Sequence, residues 1–123
     1  MKKILIVDDE PDICDAVSEF LKEAGYETLV AHRGHEALEK TIKEKPDLLI
    51  LDVALPDVDG TVVYETLRKI PETKDINVIF LTALASGAPQ QFAGVDRAHY
   101  SLLSKPVDID TLRQEIVRMI GKA

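Results

Sequence analysis

Three short runs, KILIV at 3–7, DLLIL at 47–51 and NVIFL at 77–81, are apolar at nearly every position. A strand with one face in water alternates apolar and polar residues, so strands without that alternation must be covered on both faces. Between the runs the period becomes helical. After Pro11, which suits a first helical position, Ile13, Ala16, Val17, Phe20, Leu21 and Ala24 share one face, and Gly25 follows as a stop. The unit repeats as a strand over Glu27–Ala31, a helix near His35–Lys43 broken by Pro46, the strand Asp47–Leu51, and a helix over Thr61–Ile70 ended by Pro71.

A fourth strand, Asn77–Leu81, and a fifth, Tyr100–Leu103, complete the series. Gly87, Pro89 and Gly94 weaken any helix between them, so a short or irregular one is expected there. In the last helix Asp108 is the expected N-cap, Leu112, Ile116, Met119 and Ile120 form its face, and Gly121 closes it. Strict alternation of strand and helix predicts an α/β fold, a doubly wound parallel sheet with right-handed crossovers. Ligands of such sheets bind outside the carboxyl ends of the strands.

Composition narrows the classes. At 123 residues the chain is expected to form one domain. Asp8 and Asp9 cut the apolar start too short for a signal peptide, and no run approaches membrane-spanning length, so a cytoplasmic place with no membrane contact is expected. A formal charge of -7 without a basic patch argues against direct nucleic-acid binding. Cys14 is the single cysteine, which excludes an internal disulfide; its place in an apolar helical pattern makes it core filler.

The residues that follow each strand carry the chemistry. Asp8 and Asp9 follow the first, His32 and Arg33 the second, Asp52 the third, Thr82 the fourth, and Ser104, Lys105 and Pro106 the fifth. Carboxylate oxygens suit a hard cation such as magnesium, while lysine and a threonine hydroxyl suit phosphoryl oxygens. An aspartate at the centre of such a set can accept the phosphoryl group covalently.

Asp8-Asp9, LDVALPDVDG at 51–60, LTA at 81–83 and SKP at 104–106, in this order after successive strands, resemble the receiver domain of two-component response regulators over essentially the whole length, 1–123. The resemblance implies a five-stranded (βα)5 flavodoxin-like sheet of order 2-1-3-4-5, an order that general accounts of this fold already give for a member of the family. It implies that Asp52 accepts a phosphoryl group from a sensor histidine kinase or histidine phosphotransfer protein. Asp9, Asp52 and the backbone carbonyl of Ala54 would hold Mg2+, or Mn2+ in its place, with Asp8 acting mainly through water. Lys105 would contact the phosphoryl group and Thr82 would move to bond it. The implied output is a population shift that controls binding of a downstream protein, with no enzymatic activity beyond the domain's own phosphorylation and slow dephosphorylation. No output domain is expected on this chain.

Rival readings exist. DVDGT at 57–61 resembles the signature of haloacid-dehalogenase-type phosphatases, with Asp57 as nucleophile, but the apolar run stops at Asp52 and Asp57 follows Pro56. Asp57 therefore reads as a turn residue and Asp59-Gly60 as loop chemistry. His32, His35 and His99 read as surface residues without ligand partners. A receiver-shaped interaction module not controlled by phosphorylation is the other alternative. Two departures favour it: Leu102 stands three residues before Lys105, where receivers generally carry an aromatic or histidine, with Tyr100 on the same strand face, and the Thr82–Lys105 segment is about one residue longer than is common in the family. The expectation is intact phosphorylation chemistry with an altered readout. Ala54 and Leu84, two residues beyond Asp52 and Thr82, are apolar and cannot orient water, so self-dephosphorylation is expected to be modest. The isomer of the Lys105–Pro106 bond is open at this point.

Overall fold

A computed structural model describes residues 1–83 and 100–123. The expected irregular helix, with Leu84 and His99, lies outside the described residues. The order is β1 (Lys3–Val7), α1 (Pro11–Glu23), β2 (Glu27–Ala31), α2 (Gly34–Glu44), β3 (Leu48–Asp52), α3 (Gly60–Arg68), β4 (Asn77–Thr82), β5 (Tyr100–Ser104) and α4 (Ile109–Ile120). The strands form one sheet of order β2-β1-β3-β4-β5, every pair parallel.

The unalternated strands are covered on both faces. Leu5, Val7, Leu49, Leu51, Val78 and Phe80 point to one side, against Ala37 of α2 and Val63, Tyr64 and Leu67 of α3. Ile4, Ile6, Leu48, Ile50, Ile79 and Leu81 point to the other, against Cys14, Val17 and Leu21 of α1 and Leu112 and Ile116 of α4. Each such side chain contributes about 1.5–3 kcal/mol when fully buried. The first side also holds three rings, Tyr64, Phe80 and Tyr100, in mutual edge-to-face contact with centroids 5.5 Å apart. Tyr100 is buried there, and Leu102 packs on the same cluster, as their period-two spacing implies.

Local signals hold in detail. Pro11 opens α1. The Asp108 carboxylate accepts from the Thr111 N–H, capping α4, and Gly121 follows that helix. Cys14 is fully buried. Several boundaries shift. β3 begins at Leu48 rather than Asp47 and extends to Asp52, and β4 and β5 each run one residue further than expected, to Thr82 and Ser104. α3 stops at Arg68, and the Leu67 carbonyl, which Pro71 cannot bond for want of an N–H, accepts from the Thr73 hydroxyl at 2.7 Å. The Lys105–Pro106 peptide is cis. No helix among the described residues is long and apolar enough to cross a membrane.

Candidate functional site

The sheet order places β1 beside β3, with Val7 opposite Leu51. The next residues, Asp8 and Asp52, therefore leave adjacent strands side by side. Both are buried, with Asp8 1% and Asp52 6% exposed. Two carboxylates can be held there because a cation lies between them: Lys105 Nζ donates to Asp8 Oδ2 at 2.8 Å and to Asp52 Oδ2 at 3.0 Å. Lys105 reaches that point from the end of β5, which is anchored by its own backbone N–H to the Thr82 carbonyl at 2.7 Å. The second oxygens are also used, Asp8 Oδ1 by the Glu10 N–H at 2.9 Å and Asp52 Oδ1 by the Ala54 N–H at 3.1 Å.

Electrostatics follow from this burial. Loss of water raises the Asp52 pKa above its ordinary value, and the Lys105 hydrogen bond, the Ala54 N–H and the Lys105 charge offset this only in part. Burial by itself would lower the Lys105 pKa, but its hydrogen bonds and charge pairing with Asp8 and Asp52 outweigh that, leaving it raised. A buried carboxylate that is costly to keep charged gains most when a cation arrives.

A cleft of about 470 Å³ opens over these groups, its walls including Asp9, Glu10, Asp52, Ala54, Asp59, Thr82 and Lys105. Asp8, Asp9 and Glu10 bring one oxygen each within 4.8 Å of one another, the one such grouping among the described residues. All the donors are hard oxygens, and the buried Asp8 and Asp52 carboxylates already share a positive charge, so the set fits a small divalent ion such as magnesium. The structure thus brings Asp9, Asp52, Ala54, Thr82 and Lys105 to the walls of one cleft, with Asp8 buried beneath it on Lys105. It adds Glu10, which sequence reasoning did not single out, and Asp59, which it read with Gly60 only as loop chemistry. Glu10 stands as a third acid in the DDE run, and Asp59 caps α3, accepting from the Thr61 N–H at 3.0 Å.

Two expectations need correction. Asp57 is more than a turn residue: its carboxylate accepts from the N–H groups of Gly34 at 2.8 Å and His35 at 3.0 Å, and its Oδ2 lies 2.6 Å from His35 Nδ1. Both oxygens are thereby committed to the start of α2, which removes the geometry a phosphatase nucleophile needs, and His35 has a partner. His32 is half-buried rather than a surface residue, and its Nδ1 donates to the Asp8 carbonyl at 3.0 Å. Tertiary contacts across 22 to 24 positions made both placements, so no local pattern could show them.

A doubly wound sheet with acids just after β1 and at the end of β3, a hydroxyl at the end of β4 and a lysine after β5 defines a class, the receivers of aspartyl phosphorylation. The chain belongs to the response regulator receiver domain family, the receiving module of two-component signalling, whose model matches residues 4–117. It is 39% identical over 122 residues to the DNA-binding dual master transcriptional regulator RpaA of Synechocystis, covering 99% of this chain and 50% of that protein. It is 34% identical to sporulation initiation phosphotransferase F of Bacillus subtilis, covering 97% of this chain and 94% of that protein. The response regulator TrrA of Thermotoga maritima, solved in complex with Mg(2+)-BeF, superposes with a TM-score of 0.83 at 35% identity, covering 98% of this chain and all of that one. The chain spans about half the length of several of its curated relatives, RpaA among them.

Proposed function

We propose that Asp52 accepts a phosphoryl group from a phosphohistidine on a partner kinase or phosphotransfer protein. The observation that carries this reading is Lys105, which bridges the buried Asp8 and Asp52 carboxylates at the mouth of the cleft. An Asp52 oxygen attacks phosphorus, the P–O bond forms as the P–N bond to the donor imidazole breaks, and the imidazole leaves with its electron pair. Asp9, Asp52 and the Ala54 carbonyl would hold magnesium, with Asp8 acting mainly through water, and the ion would neutralise phosphoryl charge. Lys105 turns from the carboxylates to a phosphoryl oxygen, and the Thr82 hydroxyl donates to another. The protein positions and neutralises, and little covalent work remains for it.

The new phosphate adds about 1.5–2 negative charges at a buried position, which favours the conformer with Thr82 and Lys105 drawn to it. That shift controls a downstream protein from the cytoplasm. Ala54 offers no group to orient an attacking water, so the adduct is lost slowly. The test is intact mass after incubation with acetyl phosphate, with and without magnesium, for the native protein and Asp52→Ala. A single magnesium-dependent adduct absent from the variant supports the reading. Continued release of inorganic phosphate by Asp52→Ala, or no adduct with either a small donor or a phosphohistidine protein, overturns it.

A further inference from the structure

The loop from Val53 to Gly60 carries Ala54 and joins Asp52 to α3, so its placement decides where the Ala54 carbonyl sits. It is pinned at both ends. Gly60 N–H bonds the Val53 carbonyl at 2.8 Å. A Cβ at Gly60 would lie 2.3 Å from the Asp52 carbonyl oxygen, so the helix start rests directly on the acceptor's backbone. The middle of the loop is pinned by Asp57, through the two α2 N–H groups and His35 already described. The packing beside that clamp is close, since a Cβ at Gly34 would lie 2.2 Å from Val58 Cγ2. These N–H bonds, His35 first and Gly34 next, hold the Asp57 carboxyl well below its ordinary pKa, so the clamp is charged across the neutral range.

The segment from His32 to His35 also touches the other acidic loop. His32 Nδ1 donates to the Asp8 carbonyl at 3.0 Å, and the His32 N–H is held by Glu36 at 2.8 Å. Three residues of one segment, His32, Gly34 and His35, thus tie the Asp8–Glu10 loop to the Val53–Gly60 loop. We propose that Asp57 is a positioning residue for the cation side of the site: its clamp on Gly34 and His35 holds the Ala54 loop in register with Asp8, Asp9 and Glu10. This rests on the magnesium-assisted reading above.

A plain helix cap would add stability without touching cation affinity, and the experiment separates the two. Magnesium binding is measured by calorimetry for the native protein, Asp57→Ala, Asp57→Asn and Asp47→Ala, whose carboxylate accepts from the Lys3 N–H at the opposite end of the sheet. The magnesium concentration for half-maximal adduct formation is measured alongside. Asp57→Ala is expected to bind magnesium about tenfold more weakly, the size typical of lost outer supports. Its half-saturating magnesium should rise in parallel while the rate at saturating magnesium stays within about twofold. Asp57→Asn, which keeps one acceptor oxygen, falls between, and Asp47→Ala matches the native protein. Native-like binding by Asp57→Ala overturns the inference alone, as does an equal loss in Asp47→Ala. Absence of binding by the native protein itself overturns the magnesium reading and this inference together.

Discussion

Asp52 and Asp57 lie five positions apart on one connection, yet their surroundings push them in opposite directions. Asp52 ends a central strand, is buried, and has its pKa raised by lost hydration. Asp57 lies on the loop beyond, with its carboxylate between backbone N–H groups that lower its pKa. The lesson is that N–H donors aimed at a carboxylate stabilise its charge, whereas an apolar strand end leaves that charge in need of a cation. On the proposed reading, one aspartate reacts and the other holds.

The largest expected difference between them is chemical. Asp52→Asn loses the acetyl phosphate adduct completely, whereas Asp57→Asn keeps it at saturating magnesium, as intact mass would show. An adduct on Asp52→Asn would erase the distinction. Next comes the cation between the acids. Lys105→Met leaves the Asp8 and Asp52 carboxylates facing each other without a counter-charge and should cost about 1–3 kcal/mol of unfolding free energy in magnesium-free buffer. Added magnesium should narrow that deficit; a deficit indifferent to magnesium would show that ion and lysine do not share the place.

A smaller, sign-sensitive test uses pH. Asp57 has a folded pKa below its unfolded value of about 3.9. Its contribution to stability is present above that unfolded value and is lost as pH falls through the folded one. Asp52 has the reverse sign: its raised folded pKa gives stability at low pH that is lost as pH rises through the folded value. At neutral pH without magnesium, urea midpoints should therefore rise for Asp52→Asn and fall for Asp57→Asn. The two differences should shrink together in strong acid, and midpoints moving in the same direction at neutral pH would break the comparison.

The smallest effect concerns Cys14, whose thiol donates to the Asp8 carbonyl at 3.4 Å. Burial first, then the nearby Asp8 charge, raise its pKa to about 11. Labelling by a thiol reagent at neutral pH should be slow and should accelerate only with denaturant. Rapid labelling would mean that the backbone behind Asp8 opens far more readily than its packing implies.

The unalternated runs of β1, β3 and β4 determined a sheet covered on both faces, because each exposed apolar position would cost transfer free energy that a helix layer recovers. Residue types at the ends of those runs and of β5 determined Asp8, Asp9, Asp52, Thr82 and Lys105 as the candidate set, since placement at a strand end follows from the strand itself. Caps such as Asp108 were legible for the same reason, as their partners lie three residues away. Only the tertiary structure decided the rest. It placed Lys105 between Asp8 and Asp52, added Glu10 and Asp59 to the cleft, turned His32 inward to Asp8, and committed Asp57 to α2. These outcomes depend on strand order and on side chains meeting across 20 to nearly 100 positions. Short-range periodicity carries burial and hydrogen-bonding preferences of neighbours, and holds no information about which distant backbone N–H or ammonium group arrives to satisfy a carboxylate.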